Sequence, residues 1–134
     1  MIALDTNVLI YACDKADPAR QQIALDLIRN ISGGVLPWQV ACEFIAASRK
    51  LERQGFTATD AWARLADFLE MFQLAIPAGS RVLDRARHLH LNRNVAFWDA
   101  TIIAACLDAG VQRLYSEDLP GGDIEGLLVV NPFN

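Results

Sequence analysis

Apolar runs of three or four residues alternate along this chain with longer segments of helical period, and that alternation admits few folds. Ile2–Leu4, Val35-Leu36, residues 74–76, Arg113–Tyr115 and Leu127–Val130 read as short strands. Helices are expected between them: at 7–12, from Pro18 to about Ile31, from Pro37 to about Gln54, after Thr57 as N-cap, at 80–91 and at 95–109. Gly33-Gly34, Gly55 and Gly110 supply stops. In the fourth helix Ala58, Ala61, Trp62, Leu65, Phe68, Leu69 and Phe72 make an apolar stripe that reads as core, and its aromatic content also suits a protein contact. Strands that alternate with helices imply a parallel sheet covered on both faces. The expected fold class is α/β: one three-layer domain over residues 1–134, with a parallel sheet of about five short strands flanked by helices.

The composition, 53% hydrophobic, is that of a chain able to bury a core. No apolar run reaches the roughly 18 residues of a membrane span, so no membrane partner is expected. Asp5 interrupts the first apolar stretch, which therefore lacks a secretory pattern. The three cysteines (Cys13, Cys42, Cys106) are too scattered for a disulfide framework or a zinc site and read as buried thiols of a cytoplasmic protein.

Three acids stand out by their isolation. Asp5 is the only charge in the first thirteen residues, Glu43 the only one from Gly33 to Ser48, and Asp99 the only one from Asn94 to Leu107. Acids are rarely buried without a partner. Each has an ordinary alternative: Asp5 as a helix cap, Glu43 facing outward beside Gln39 and Lys50, Asp99 as a first-turn acid favoured by the helix dipole. Asp118 lies just past a strand, in a loop with Ser116 and Glu117. In an α/β sheet, however, ligands bind beyond the carboxyl ends of the strands. Asp5 and Asp118 occupy such ends, and the helices carrying Glu43 and Asp99 start at the same edge. Two carboxylates about 4 Å apart repel by roughly 4 kcal/mol at an effective dielectric near 20. Four together need protons or divalent cations, and oxygen-only ligands select Mg²⁺ or Mn²⁺ over zinc.

The ordered set of Leu4-Asp5-Thr6-Asn7, Glu43, Phe97-Trp98-Asp99-Ala100, Ser116-Glu117-Asp118-Leu119 and the closing Asn131-Pro132-Phe133 resembles the PIN-domain family, and within it the VapC-type toxins of toxin–antitoxin pairs. The resemblance runs over essentially the full length. It implies catalytic, metal-holding roles for Asp5, Glu43, Asp99 and Asp118, with Thr6, Asn7 and Ser116 as supporting polar residues. It further implies Mg²⁺- or Mn²⁺-dependent endonucleolytic cleavage of structured RNA, often a transfer RNA loop, a homodimer, and silencing by a cognate antitoxin.

A net charge of −4 is unexpected for a partner of RNA. Setting the four site acids aside, the other twelve acids match the twelve bases, ten of which are arginine. Arg81, Arg85 and Arg87, with Arg49, Lys50 and Arg53, are the candidate RNA contacts, although such runs are commonly just solvated faces. Two other readings are open: a non-catalytic PIN-like module that binds RNA or protein, and an aspartate-nucleophile phosphatase. The second lacks the further acid two residues on, where Asn7 stands.

Overall fold

The short apolar runs are strands, and the segments between them are helices that cover both faces. The computed structural model describes residues 1–134. Strands β1 (Ile2–Leu4), β2 (Val35–Pro37), β3 (Gln73–Ala75), β4 (Arg113–Tyr115), β5 (Gly122–Ile124) and β6 (Leu127–Val130) form one sheet in the order β3-β2-β1-β4-β6-β5. All neighbours are parallel except β5 and β6. Helices α1 (Thr6–Cys13), α2 (Pro18–Asn30), α3 (Trp38–Ala47), α4 (Ala58–Met71), α5 (Ser80–Asn92) and α6 (Phe97–Asp108) complete the domain. None is long and apolar enough to cross a membrane.

The sheet has six strands where about five were expected, and the sixth is antiparallel. Its sequence, Gly122-Asp123-Ile124, is poor in strand-forming residues. The Glu125-Gly126 turn makes the hairpin, with both residues at positive φ (53° and 98°) as a tight two-residue turn requires. Glu125 is held there by His88 of α5 at 3.3 Å and by Arg93, just past the end of that helix, at 3.2 Å.

The helix expected from Pro37 to Gln54 divides. α3 stops at Ala47, a 3₁₀ segment (Ser48–Gln54) follows, and Gly55 at φ 80° ends it. α4 begins with the expected Thr57 cap, strengthened by a reciprocal bond from the Thr57 amide to the Asp60 carboxylate, but its apolar stripe is only partly core. Ala61, Leu65, Phe68 and Phe72 are buried, whereas Trp62 is 60% exposed and Leu69 is also at the surface. α6 is buried on nearly every side, from Ala100 to Cys106, because it packs on the sheet and α5 together. Cys13 and Cys106 are buried as expected; Cys42 is exposed on α3.

Candidate active site

β2 and β3 lie on one side of β1, while β4 to β6 lie on the other. The crevice beyond the carboxyl ends of β1 and β4 is therefore the switch point where such sheets take ligands. Asp5 directly follows β1; Ser116, Glu117 and Asp118 directly follow β4. α3 brings Glu43 and the first turn of α6 brings Asp99. All four carboxylates line one cleft of about 210 Å³, with Thr6, Asn7, Lys50 and Trp98. Clefts of about 330 and 290 Å³ lie elsewhere, beside Lys15 and Arg64 and beside Met1 and Ile76, and neither gathers more than one acid.

Asp5 is only 6% exposed. As a cap it accepts from the Thr6 amide at 2.7 Å through Oδ1, so the ordinary capping role and the site position coincide. Oδ2 accepts from the Ser116 hydroxyl at 2.7 Å and from Asn7 Nδ2 at 3.5 Å. Burial pushes its carboxyl above the usual aspartate range, the Ser116 and Thr6 bonds oppose that, and the charges of Glu43 and Asp118 add to it. Ser116 Oγ also accepts from the amides of Asp118 and Leu119, both at 3.2 Å. Asn7 Nδ2 reaches Asp118 Oδ2 at 3.2 Å, and Asn7 Oδ1 accepts from the Glu117 amide. Asn7 and Ser116 thus stitch the two strand ends together.

Glu43 does not turn to bulk solvent. Thr6 Oγ1 donates to one of its oxygens at 2.9 Å and Gln39 Nε2 to the other at 2.8 Å. Gln39 also accepts from the Thr101 hydroxyl at 2.6 Å and donates to the Trp98 carbonyl at 3.3 Å, which ties α3 to the first turn of α6. Asp99 on that turn is partly buried, and burial together with the charges of Asp118 and Glu43 raises its carboxyl too.

Of the basic residues singled out in the sequence, Lys50 alone lines this cleft. Arg49 donates to the Phe56 carbonyl at 3.1 Å and braces the loop after the 3₁₀ segment. Arg81 pairs with Asp108 at 2.8 Å. Arg53, Arg85 and Arg87 are exposed, and Arg87 lines a shallow groove with Phe97 and Leu91.

Several residues around the cleft carry only faint sequence signals. Gln39 sits one helical turn before Glu43, a spacing that places the two side by side. Thr101 and Trp98 gave no signal of their own beyond adjacency to Asp99. Glu117 faces away from the cleft: Tyr11 donates to it at 2.7 Å and Arg20 at 3.0 Å, which locks the loop after β4. That bond pushes the Tyr11 phenol up to about 12.

The donor set is all oxygen, which suits a hard divalent cation. No three of the acids close round a single ion position by themselves. Mg²⁺ does not ask for that, because it keeps several waters and takes only one or two carboxylates directly. The carboxylates fit such an ion in chemistry, with water completing its shell.

The PIN-domain family model matches residues 2–119. No curated protein matches in sequence. Among solved structures, one similar fold is the VapC20 toxin of Mycobacterium tuberculosis, titled a sarcin–ricin loop cleaving toxin (20% identity over 88% of this chain and 90% of that one, TM-score 0.68). A toxin–antitoxin complex from Klebsiella pneumoniae is similar at 20% identity over 98% of each chain, with a TM-score of 0.67. VapBC2 from Rickettsia felis, bound to a DNA fragment from its promoter, is similar at 17% identity over 98% of each chain, with a TM-score of 0.66. At these identities the likeness is one of fold, and it agrees with a family match that spans most of the sequence: the chain belongs to the PIN-domain family.

Proposed function

We propose that this protein is a divalent-metal-dependent endoribonuclease that cleaves structured RNA, with transfer RNA as one target class, and that it is the toxin of a toxin–antitoxin pair. The observation that carries the reading is the gathering of Asp5, Glu43, Asp99 and Asp118, far apart in sequence, into one cleft at the sheet's switch point. Similar folds in a toxin and in a toxin–antitoxin complex support it.

Asp5, Glu43, Asp99 and Asp118 would hold Mg²⁺ or Mn²⁺, which when bound would lower the pKa of water enough to supply hydroxide at neutral pH and would neutralise charge on the phosphate. The chain's own residues prepare the place. Thr6, Asn7 and Ser116 aim the Asp5 and Asp118 carboxylates, and Gln39 and Thr6 aim Glu43. Lys50 offers the cleft's one cation to a backbone phosphate. No histidine or cysteine lines the cleft, and the proposed nucleophile is water. A phosphatase reading fares worse, since the further acid that such sites place two residues after the nucleophile is Asn7 here, and its side chain is spent on Asp118 and the Glu117 amide.

An antitoxin and a second copy of the chain are the proposed protein partners. Trp62 and Leu69 on α4, and Leu83 and Leu91 on α5, leave apolar surface for them. Three unpaired cysteines suit the reducing cytoplasm.

The test is a Mn²⁺ titration against cellular RNA with the ends mapped. The expected products carry 5′-phosphate and 3′-hydroxyl ends and depend on the ion, and Asp5→Asn produces none. An RNA pool left intact at every Mn²⁺ concentration, or identical cuts by Asp5→Asn, rejects the reading.

A further inference from the structure

We infer that Trp98 is a base-stacking subsite that holds an unpaired RNA nucleobase beside the acidic cleft. The inference rests on the nuclease reading of that cleft and adds to it a substrate class and a residue.

A tryptophan that stays 67% exposed forgoes most of the burial that makes its side chain stabilising. Trp98 is not on a remote surface, because it lines the same cleft as the four carboxylates and Lys50. Its main chain is fixed to the acids: its carbonyl accepts from Thr101 at 2.6 Å and from Gln39 at 3.3 Å, and Gln39 holds Glu43. The backbone that carries the ring is thus held at a set place relative to the carboxylates, and the Phe97 ring packs against the indole.

Aromatic surface continues outward from it. Phe97 packs against Trp98 at 5.0 Å and 70°, remains 42% exposed, and meets the His90 ring at 6.0 Å. The groove beyond Phe97 includes Arg87. One cation, Lys50, shares the cleft with Trp98, and the groove that Phe97 lines holds Arg87 together with Asp84. Alternating cation and ring is the arrangement that a single strand needs, phosphates on the cations and bases on the rings. Bases within a duplex are already stacked and do not lie on a side chain, so the subsite selects loops, bulges or ends. Every base has a π-face, so the subsite reads strandedness rather than sequence.

The test measures binding of a short fluorescent oligouridylate with divalent ions chelated, and of an abasic ribose-phosphate strand of equal length and charge. Trp98→Leu is expected to bind oligouridylate roughly 5- to 150-fold more weakly than the wild type, the range for one stacked base, and Trp98→Phe to keep most of the affinity. The wild type should prefer the strand with bases, and Trp98→Leu should lose that preference by the same factor. Equal oligouridylate binding by wild type and Trp98→Leu, an undiminished preference in the variant, or no wild-type binding overturns the inference. So does a variant that changes only oligomeric state or antitoxin binding, which assigns Trp98 to a protein contact instead. Mn²⁺-dependent cleavage of structured cellular RNA is scored separately: base-dependent binding of the oligouridylate by a protein that leaves that RNA intact rejects the nuclease reading and leaves the subsite standing.

Discussion

Asp5 and Asp118 stand on strand ends and are joined through Ser116 and Asn7, whereas Glu43 and Asp99 stand on α3 and α6 and are related only through Gln39. On the strand side the anchor is buried and both oxygens of Asp5 are satisfied. On the helix side no hydrogen bond contributes to the state of the Asp99 carboxyl, which is raised by burial and by neighbouring charge alone. The contrast assigns different work to the two sides. Hydrogen bonds hold the strand side and, through Thr6 and Gln39, Glu43 as well, whereas the Asp99 carboxylate has no such bond and, in the proposed nuclease, is the acid free to settle round an ion and its waters.

Asp5→Asn is the most severe way to break the comparison. RNA cleavage should fall by more than the roughly hundredfold that a ligand's outer partners are worth. Stability should move the other way without metal. A carboxyl raised in the fold binds protons more tightly folded than unfolded, so its contribution is best near or below the ordinary value of 3.8 and declines as pH rises above it. Thermal unfolding without divalent ions should show Asp5→Asn gaining more over the wild type at about pH 7 than at about pH 4. Equal stability at both values removes the charge argument.

Ser116→Ala and Gln39→Ala sharpen the contrast. Each should slow cleavage roughly 10- to 100-fold as an outer partner of a metal-holding acid. Ser116→Ala also strips the Asp118 and Leu119 amides of their acceptor inside the protein, at a cost of about 1–3 kcal/mol. Gln39 is half-exposed, so its loss should leave the unfolding temperature nearly unchanged. Two variants with the same stability would show that the sides are built alike.

Smallest is the electrostatic effect. Lys50→Ala should weaken RNA binding and lower its salt slope by about one, and charge reversal at Arg85 and Arg87 should flatten it further. Slopes that match the wild type would remove these residues from the RNA path.

The strand side was also the more legible in sequence. β1 and β4 end just before Asp5 and Ser116, and a lone acid in an apolar stretch is visible without knowing the partner. The three-layer architecture followed from alternation in the same way. What stayed hidden depends on contacts between distant elements. Gln39 gains meaning only when α6 delivers Thr101 and the Trp98 carbonyl, and Glu117 only when Tyr11 and Arg20 meet it. β5 was missed because partner geometry and the Glu125-Gly126 turn, rather than β-propensity, make it a strand. Trp62 and Cys42 read as core because residue type reports hydrophobicity, while the packing of neighbouring elements decides which side of a helix is covered.

The most direct measurement is the cleavage rate of Asp99→Asn against wild type on one RNA, in saturating Mn²⁺. Asp99 is the one of the four acids whose carboxylate accepts no hydrogen bond, so its loss disturbs the shared site while leaving the strand side intact. A divalent-ion site held in common by the four carboxylates predicts that the variant folds and does not cleave. Cleavage at the wild-type rate would contradict it.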